Sequence, residues 1–344
     1  EILIKMIEES TQNIYMTVYK LDIDATTVLV LDALQKKAQE GIPVRILLDA
    51  LGSIKLYLLQ YKLRSYRKSG IVFAFFMPFI KMPFRNYINL RNHRKAFVFD
   101  EKAVLSGGIN LADIYLGPTQ NEKRWADIVF LIKGKASKTY LEIFFADWAY
   151  ATNEVLRIQS SEIQDCGTVD VQVIPSGPDV KADVFYEELL KLIYEAKHRI
   201  WIVTPYFLPD EGILNALIIA KHHGVDVRLI TPRDSDHVIA DLGRSSFMRE
   251  IEEHGIYVGL FEGKMLHAKA IIIDDMGVLG SANISYRSMF LNYETMSLFD
   301  SKEVVSKIEK WMNYLLDCST QEIKHNGKIR RVGENLMKVF TPLM

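Results

Sequence analysis

His93-Arg-Lys95-Ala-Phe-Val-Phe-Asp100, followed by Gly107-Gly-Ile-Asn110, returns later in the chain as His267-Ala-Lys269-Ala-Ile-Ile-Ile-Asp274, followed by Gly280-Ser-Ala-Asn283. One His-x-Lys-x4-Asp pattern is a weak signal, because short patterns arise by chance. Two copies, each leading to Gly-x-x-Asn, are a strong one. The surroundings repeat as well. Upstream of the first copy lie a β-type run, Asn13–Tyr19, and an amphipathic helix carrying Val28, Leu31, Leu34 and Ala38. Gly41 and the apolar run Val44–Leu48 follow. Upstream of the second lie Arg199–Thr204, a helix around Leu214–Ala220, Gly224 and Val227–Ile230. Both glycines open Gly-x-x-Val-Arg, the pattern of a helix stop followed by a strand. Each half closes on a helix that begins Ser-Lys, Ser137–Ala151 and Ser301–Leu316.

Strands alternating with helices predict an α/β fold with mainly parallel mixed sheets flanked by helices. The repeat predicts two halves related by a pseudo-twofold, residues 1–160 and 161–344, with an active site at their interface. The boundary is expected near residues 157–168, where Gln159–Asp165 is polar and Gly167 follows.

Composition narrows the function. The chain has 344 residues, 49% hydrophobic and 25% charged, with Lys+Arg 42 against Asp+Glu 43. A nucleic-acid protein ordinarily carries a basic excess that neutralises phosphates, so no nucleic-acid partner is expected. Cys166 and Cys318 are the only cysteines, which points to a reducing compartment and no disulfide framework. No cysteine pair has zinc spacing, and neither a metal nor a cofactor is expected. No apolar run reaches the roughly 18 residues needed to span a bilayer. The chain starts at Glu1, inside what reads as a helix, as a trimmed fragment would.

Residues i and i+2 of a strand share a face, so His93 and Lys95 should point together, as should His267 and Lys269. Asp100 lies five residues beyond Lys95, roughly 16 Å along an extended strand. Asp100 and Asp274 are therefore expected to be structural, fixing the strand end and the turn. The glycines permit close approach of backbone to an anion, and Asn110 and Asn283 can donate amide hydrogen bonds to it. Two His, two Lys and two Asn suit a phosphodiester. The lysines and amides stabilise the equatorial oxygens, one neutral histidine attacks phosphorus, and the other, protonated, serves the leaving alkoxide. A histidine used in this way needs its second ring nitrogen held by an acceptor. Asp127 in Trp125-Ala-Asp127 and Glu294 in Asn292-Tyr-Glu294 are the expected orienting carboxylates.

These motifs resemble the phospholipase D superfamily. Arg91–Lys95, Gly107–Gly117, Trp125–Asp127, Phe145–Trp148, Pro175–Asp179, Thr204–Glu211, Arg287–Glu294 and Thr341–Met344 are similar to its bacterial-type cardiolipin synthase branch. That resemblance implies phosphatidyl transfer between two phosphatidylglycerol molecules with release of glycerol, through a phosphohistidine and without metal. It implies His93 as nucleophile and His267 as acid and base, although the near-symmetric motifs leave the assignment open on chemistry alone. It also implies an anionic membrane surface as partner, an inner (cytoplasmic) membrane location and an anchor upstream of Glu1. One departure stands out: Asp274 to Gly280 is one residue shorter than Asp100 to Gly107, which puts the equivalence of Asn283 and Asn110 in question.

Hydrolysis of phospholipids to phosphatidic acid at the same site remains open, as does a superfamily nuclease, which the balanced charge disfavours. A non-enzymatic scaffold is disfavoured by the complete set of paired residues. Ile71–Phe84 reads either as a buried strand entering a loop or as a lipid-facing lip. Leu56–Lys68 reads as a solvated amphipathic helix face or one lying on anionic lipid. The remaining histidines, His198, His222, His223, His237, His254 and His325, lack motif context and read as surface or packing residues.

Overall fold

The computed structural model describes residues 1–78, 89–158, 163 and 166–323. It divides into two compact units, Glu1–Arg124 with Val129–Thr168, and Trp125–Ile128 with Val169–Met344. Much of the polar stretch expected at the boundary, the second half of Ile71–Phe84, His325 and the Thr341–Met344 tail lie outside the described residues.

The first unit holds one sheet of six strands: β1 (Ile14–Val18), β2 (Val44–Asp49), β3 (Val72–Phe76), β4 (Ala96–Phe99), β5 (Ala103–Gly107) and β6 (Val129–Lys133). Their order is β3-β2-β1-β4-β5-β6. The second unit holds β7 (Asp170–Ser176), β8 (Arg199–Val203), β9 (Asp226–Pro232), β10 (Tyr257–Phe261), β11 (Ala270–Ile273), β12 (Met276–Gly280), β13 (Glu294–Asp300) and β14 (Ser319–Thr320). Their order is β14-β10-β9-β8-β11-β12-β13-β7. The six-strand order of the first sheet thus recurs as β10-β9-β8-β11-β12-β13, with β14 and β7 added at the edges.

The α/β reading holds, but parallel pairing is narrower than expected. Only β1, β2 and β3, and likewise β8, β9 and β10, run parallel; the other joints are antiparallel. The cause is local. A parallel joint needs a crossover, and helices Ala25–Gln39 and Glu211–His222 supply it between β1 and β2 and between β8 and β9. Asp24 caps the first by accepting from Thr27 N, and Asp210 caps the second by accepting from Gly212 N and Ile213 N. Gly41 (φ 88°) and Gly224 (φ 90°) end those turns in the left-handed region. Beyond the motifs only a turn separates β4 from β5, and β11 from β12, so the chain must return antiparallel.

The central strands β1, β4, β5 and β11 are buried at every position. Continuous apolar runs of this kind require cover on both faces. Helix Ala136–Thr152 covers the first sheet through Leu141, Phe144 and Trp148, with Phe144 stacked on Tyr15 at 5.1 Å. In the second unit Phe185, Leu189, Leu217, Ile202 and Ile271 share one core cluster. Arg45 and Arg228, repeated before strand cores, form structural ion pairs with Glu154 and Asp226, each at 2.9 Å.

Candidate active site

Both His-x-Lys tripeptides lead directly into a strand rather than lying on it, since β4 begins at Ala96 and β11 at Ala270. At the far end of each strand the motif aspartate receives backbone N–H groups. Asp100 accepts from Thr11, Gln12 and Asn13; Asp274 accepts from Lys197, His198 and Arg199. Both have positive φ, 52° and 49°, a conformation Asp tolerates better than most residues. Each therefore pins the start of β1 or β8 to the turn that ends β4 or β11. These hydrogen bonds hold the Asp274 carboxyl below its ordinary pKa, against the desolvation that raises it.

The short second motif also has a structural cause. Ala96 pairs with Ser106 and Phe99 with Ala103, whereas Ala270 pairs with Leu279 and Ile273 with Met276. The missing residue comes out of the β11–β12 turn, and the ladder is back in step at Gly107 and Gly280. Asn110 and Asn283 thus stand at equivalent places. A Cβ on Gly280 would meet Thr295 O at 2.3 Å, so β12 and β13 approach this closely only without a side chain there.

In the second unit the sequence brings three expected residues together. Ala126 donates to Met265 O at 2.8 Å and accepts from His267 N at 2.7 Å, a short parallel bridge. That bridge sets Asp127 beside the histidine: Asp127 Oδ2 is 2.8 Å from His267 Nδ1, and both side chains are almost fully buried. Trp125 lies against the same imidazole, with centroids 5.2 Å apart. Asp127 follows Asn110 in sequence, yet it serves the histidine of the later motif, because Trp125–Ile128 belongs to the second unit.

Lys269 Nζ sits 3.0 Å from His267 Nδ1 and 3.1 Å from Nε2, and also donates to His267 O. Burial lowers the Lys269 pKa to about 8, with Asp127, Glu294 and Asp236 opposing the shift. For Asp127 desolvation is the largest influence and raises the carboxyl, but His267, Lys269 and the Ile128 N–H together outweigh it and leave the pKa lowered. Glu294 opens β13 fully buried, accepting from Ser288 Oγ at 3.0 Å and Asn292 Nδ2 at 3.3 Å. Asn283 Oδ1 is buried with no hydrogen-bond partner among the described residues.

In the first unit the imidazole of His93 meets the Tyr19 ring edge-on at 4.9 Å. Lys95 Nζ donates to His93 O at 2.6 Å and lies 5.5 Å from the Tyr19 ring centroid. Asn110 Oδ1 accepts from Lys20 N at 3.2 Å, and Leu111 bridges to Leu21, so Asn110 and Tyr19 are held on one strand end. Three buried neighbours of His93 are tied down by two carboxylates that sequence reasoning missed. Asp49 accepts from Asn92 N at 3.0 Å and Arg91 at 3.3 Å, and Asp147 accepts from Asn92 Nδ2 at 2.8 Å and Arg94 at 2.5 Å. Burial pushes the Asp49 carboxyl up to about 6, despite Arg91 and three backbone hydrogen bonds. The available signal was a lone Asp closing an apolar strand (Leu47-Leu48-Asp49) and one inside an aromatic helix face (Phe145-Ala-Asp147-Trp148). Among the described residues no group of three or more His, Cys, Asp or Glu could hold a metal ion, and no helix is long and apolar enough to cross a membrane.

Two α/β units, each presenting a His-Lys pair at a strand entrance, half-buried at His93 and buried at Lys95, His267 and Lys269, define a phospholipase D type of fold. The chain matches the family described as cardiolipin synthase, PLD-like domain, over residues 3–148 and 189–316. It is 33% identical to the cardiolipin synthase of Geobacillus kaustophilus, over 98% of this chain and 69% of that protein. It is 35% identical to the cardiolipin synthase of Geobacillus thermodenitrificans, again over 98% and 69%. Among solved structures, phosphatidylserine synthase of Haemophilus influenzae superposes with a TM-score of 0.73 at 15% identity, over 99% of this chain and 92% of that one, a likeness of fold. The chain belongs to the cardiolipin synthase family of the phospholipase D superfamily.

Proposed function

We propose that the chain is a phosphatidyltransferase that makes cardiolipin from two phosphatidylglycerol molecules at an anionic membrane surface, releasing glycerol. Family membership supports the transferase class and the phospholipid substrate. The observation that carries the chemistry is the buried His267–Asp127–Lys269 cluster. A carboxylate on Nδ1 fixes the imidazole tautomer and stabilises the imidazolium, which leaves Nε2 to exchange a proton with substrate.

In the first step His93 attacks phosphorus of one phosphatidylglycerol, a P–N bond forms, and the bond from phosphorus to the glycerol headgroup oxygen breaks. His267 gives its proton to that oxygen and glycerol leaves. In the second step His267 takes the proton from a glycerol hydroxyl of the other phosphatidylglycerol. That oxygen attacks phosphorus, the P–N bond breaks, and cardiolipin is formed with His93 restored. Lys95 and Lys269 offset charge on the equatorial oxygens, so the proposed chemistry calls for no metal and no cofactor. Asn110 and Asn283 donate amide N–H hydrogen bonds to those oxygens, and at Asn110 the amide oxygen is already taken by Lys20 N, which turns the NH2 group toward a ligand role. Asp100 and Asp274 take no part in the chemistry, and no nucleic acid is involved.

Purified chain is incubated with phosphatidylglycerol in mixed micelles containing a chelator, and lipids and glycerol are quantified. Cardiolipin with an equal yield of glycerol is expected. Phosphatidic acid alone would establish the hydrolase instead, and DNA cleavage without lipid turnover the nuclease. His93→Ala and His267→Ala should each abolish turnover with an unchanged melting temperature, and a phosphatidyl adduct trapped by acid quench should map to His93. Full activity in either variant rejects the two-histidine mechanism.

A further inference from the structure

Between Asp49 and Asp100 the sequence contains no Asp or Glu, although the whole chain has a formal net charge of −1. Within this stretch Leu56–Lys68, which reads as one amphipathic helix face, lies in a broken segment that begins at Ile54. It folds as a helical turn Ile54–Leu58, a 3-10 turn Gln60–Leu63 and a second helical turn Arg64–Lys68. Leu56, Tyr57 and Leu63 are buried and anchor the segment. The breaks between turns rotate the remaining apolar residues outward: Ile54, Leu58, Leu59 and Tyr61 are exposed, Leu58 by 58% and Tyr61 by 69%. Lys55, Lys62, Arg64, Arg67 and Lys68 are exposed beside them. Gln60, Tyr61, Arg64, Arg67 and Lys68 line an open cleft of about 430 Å³. Arg67 donates to Gln60 Oε1 at 3.0 Å, and Asp32 accepts from Tyr66 at 3.1 Å.

Single exposed apolar residues are ordinary, but a contiguous set marks an interaction surface. Large apolar groups surrounded by Lys and Arg on one short element make the composition of an interfacial lipid anchor. A nucleic acid would use the cations and leave Leu58 and Leu59 with nothing to bury them.

We propose that Ile54–Lys68 is the face by which the chain docks on an anionic phospholipid bilayer. Leu58, Leu59 and Tyr61 enter the boundary between headgroups and acyl chains, while Arg64, Arg67 and Lys68 receive lipid phosphates in the cleft. The inference deepens the proposed function and rests on it for its purpose: docking holds the enzyme where its substrates are concentrated.

The test is partition of the 344-residue chain onto sonicated vesicles of phosphatidylcholine with and without phosphatidylglycerol, followed by flotation. The chain should float with the anionic vesicles and detach as salt rises. The triple variant Arg64→Gln, Arg67→Gln, Lys68→Gln should bind on the order of a hundredfold more weakly, since each basic residue near the surface contributes roughly fivefold. Leu58→Ser with Tyr61→Ser should remove the part of binding that survives high salt. Both variants should keep the parent melting temperature and the parent turnover of short-chain phosphatidylglycerol below its critical micelle concentration, while losing turnover on vesicles. Parent-like partition in both variants overturns the proposal, as does equal binding of the parent to neutral vesicles, or tight binding to single-stranded DNA with none to vesicles. Should the parent bind anionic vesicles through this face but turn over no lipid, the functional reading fails and the docking face stands.

Discussion

The two histidine segments of this chain have nearly the same spacing and opposite surroundings. Arg91-Asn-His93-Arg-Lys95 is embedded in charge: Arg91, Asn92 and Arg94 are each 2% exposed or less and reach Asp49 or Asp147. Met265-Leu-His267-Ala-Lys269 has apolar neighbours, and is held instead by the backbone bridge to Ala126 and by Asp127 on the ring itself. In the first segment the carboxylates grip the flanking residues; in the second a carboxylate grips the imidazole. One motif spacing is thus accompanied by two kinds of carboxylate contact, to the flanking residues around His93 and to the ring of His267. The two solutions should fail differently.

The largest expected effect follows from disturbing the grip on the ring. Asp127→Asn keeps the size of the side chain but cannot stabilise an imidazolium at Nδ1, and should cost about 10³- to 10⁴-fold in kcat with the melting temperature preserved. A steady-state assay across pH reads it, and the pH profile should shift as well as fall. A loss below tenfold would mean that the 2.8 Å contact does not serve the reaction. Lys269→Met should come next, at about 10²- to 10³-fold in kcat/KM. Its folded pKa of about 8 lies below the ordinary 10.5, so the ammonium is lost as pH rises through about 8, and parent kcat/KM should decline there. The sign for stability is opposite. Between about 8 and 10.5 the unfolded chain binds more protons, so parent stability rises with pH in that window, and Lys269→Met should flatten the rise.

Disturbing the frame should act on folding before chemistry. Asp147→Ala leaves Arg94 and the Asn92 amide buried without their acceptor, and breaking a buried pair in this way costs about 3–5 kcal/mol. Urea denaturation measures it. A loss under about 1 kcal/mol would show that the network is dispensable and that both motifs rely on the same kind of support.

Much of this was legible in the sequence, for identifiable reasons. The strands, their helices and the stops at Gly41 and Gly224 follow from periodicity and from residues that tolerate positive φ. The paired His, Lys and Asn follow from repetition. The placement of Asp127 did not. It lies downstream of the first motif, and only the backbone bridge of Ala126 to Leu266 sends it to the second; no local pattern encodes a pairing between residues so far apart. The antiparallel direction of the return strands is not legible, because an apolar run such as Ala-Ile-Ile-Ile reads the same in either direction of pairing. The roles of Asp49 and Asp147 are not legible in the sequence: Asp49 is a lone carboxylate closing an apolar strand, Asp147 stands in the family-like Phe145–Trp148 stretch with no partner in view, and the meaning of both comes from the arginines that fold onto them.

Asp49 gives the smallest and most diagnostic test of how the frame is charged. Its carboxyl titrates at about 6 in the folded protein, raised chiefly by burial, against an ordinary 3.8. A raised carboxylate means that the folded state binds the extra proton between about pH 4 and 6, so this group makes the protein less stable as pH climbs through that window. The expected size is up to about 3 kcal/mol, from a shift of roughly two units at 1.36 kcal/mol each. Asp49→Asn removes the titration while keeping an acceptor for Leu51 N and Gly52 N, the bonds now made at 2.9 Å by Oδ1. The stability difference between the parent and the variant, measured by urea denaturation at pH 4, 5, 6 and 7, should therefore drift against the parent from pH 4 to 6 and then level off. Parallel curves would show that Arg91, 3.3 Å away, fully compensates the buried charge, and that the first histidine's frame is an ion pair of ordinary acidity.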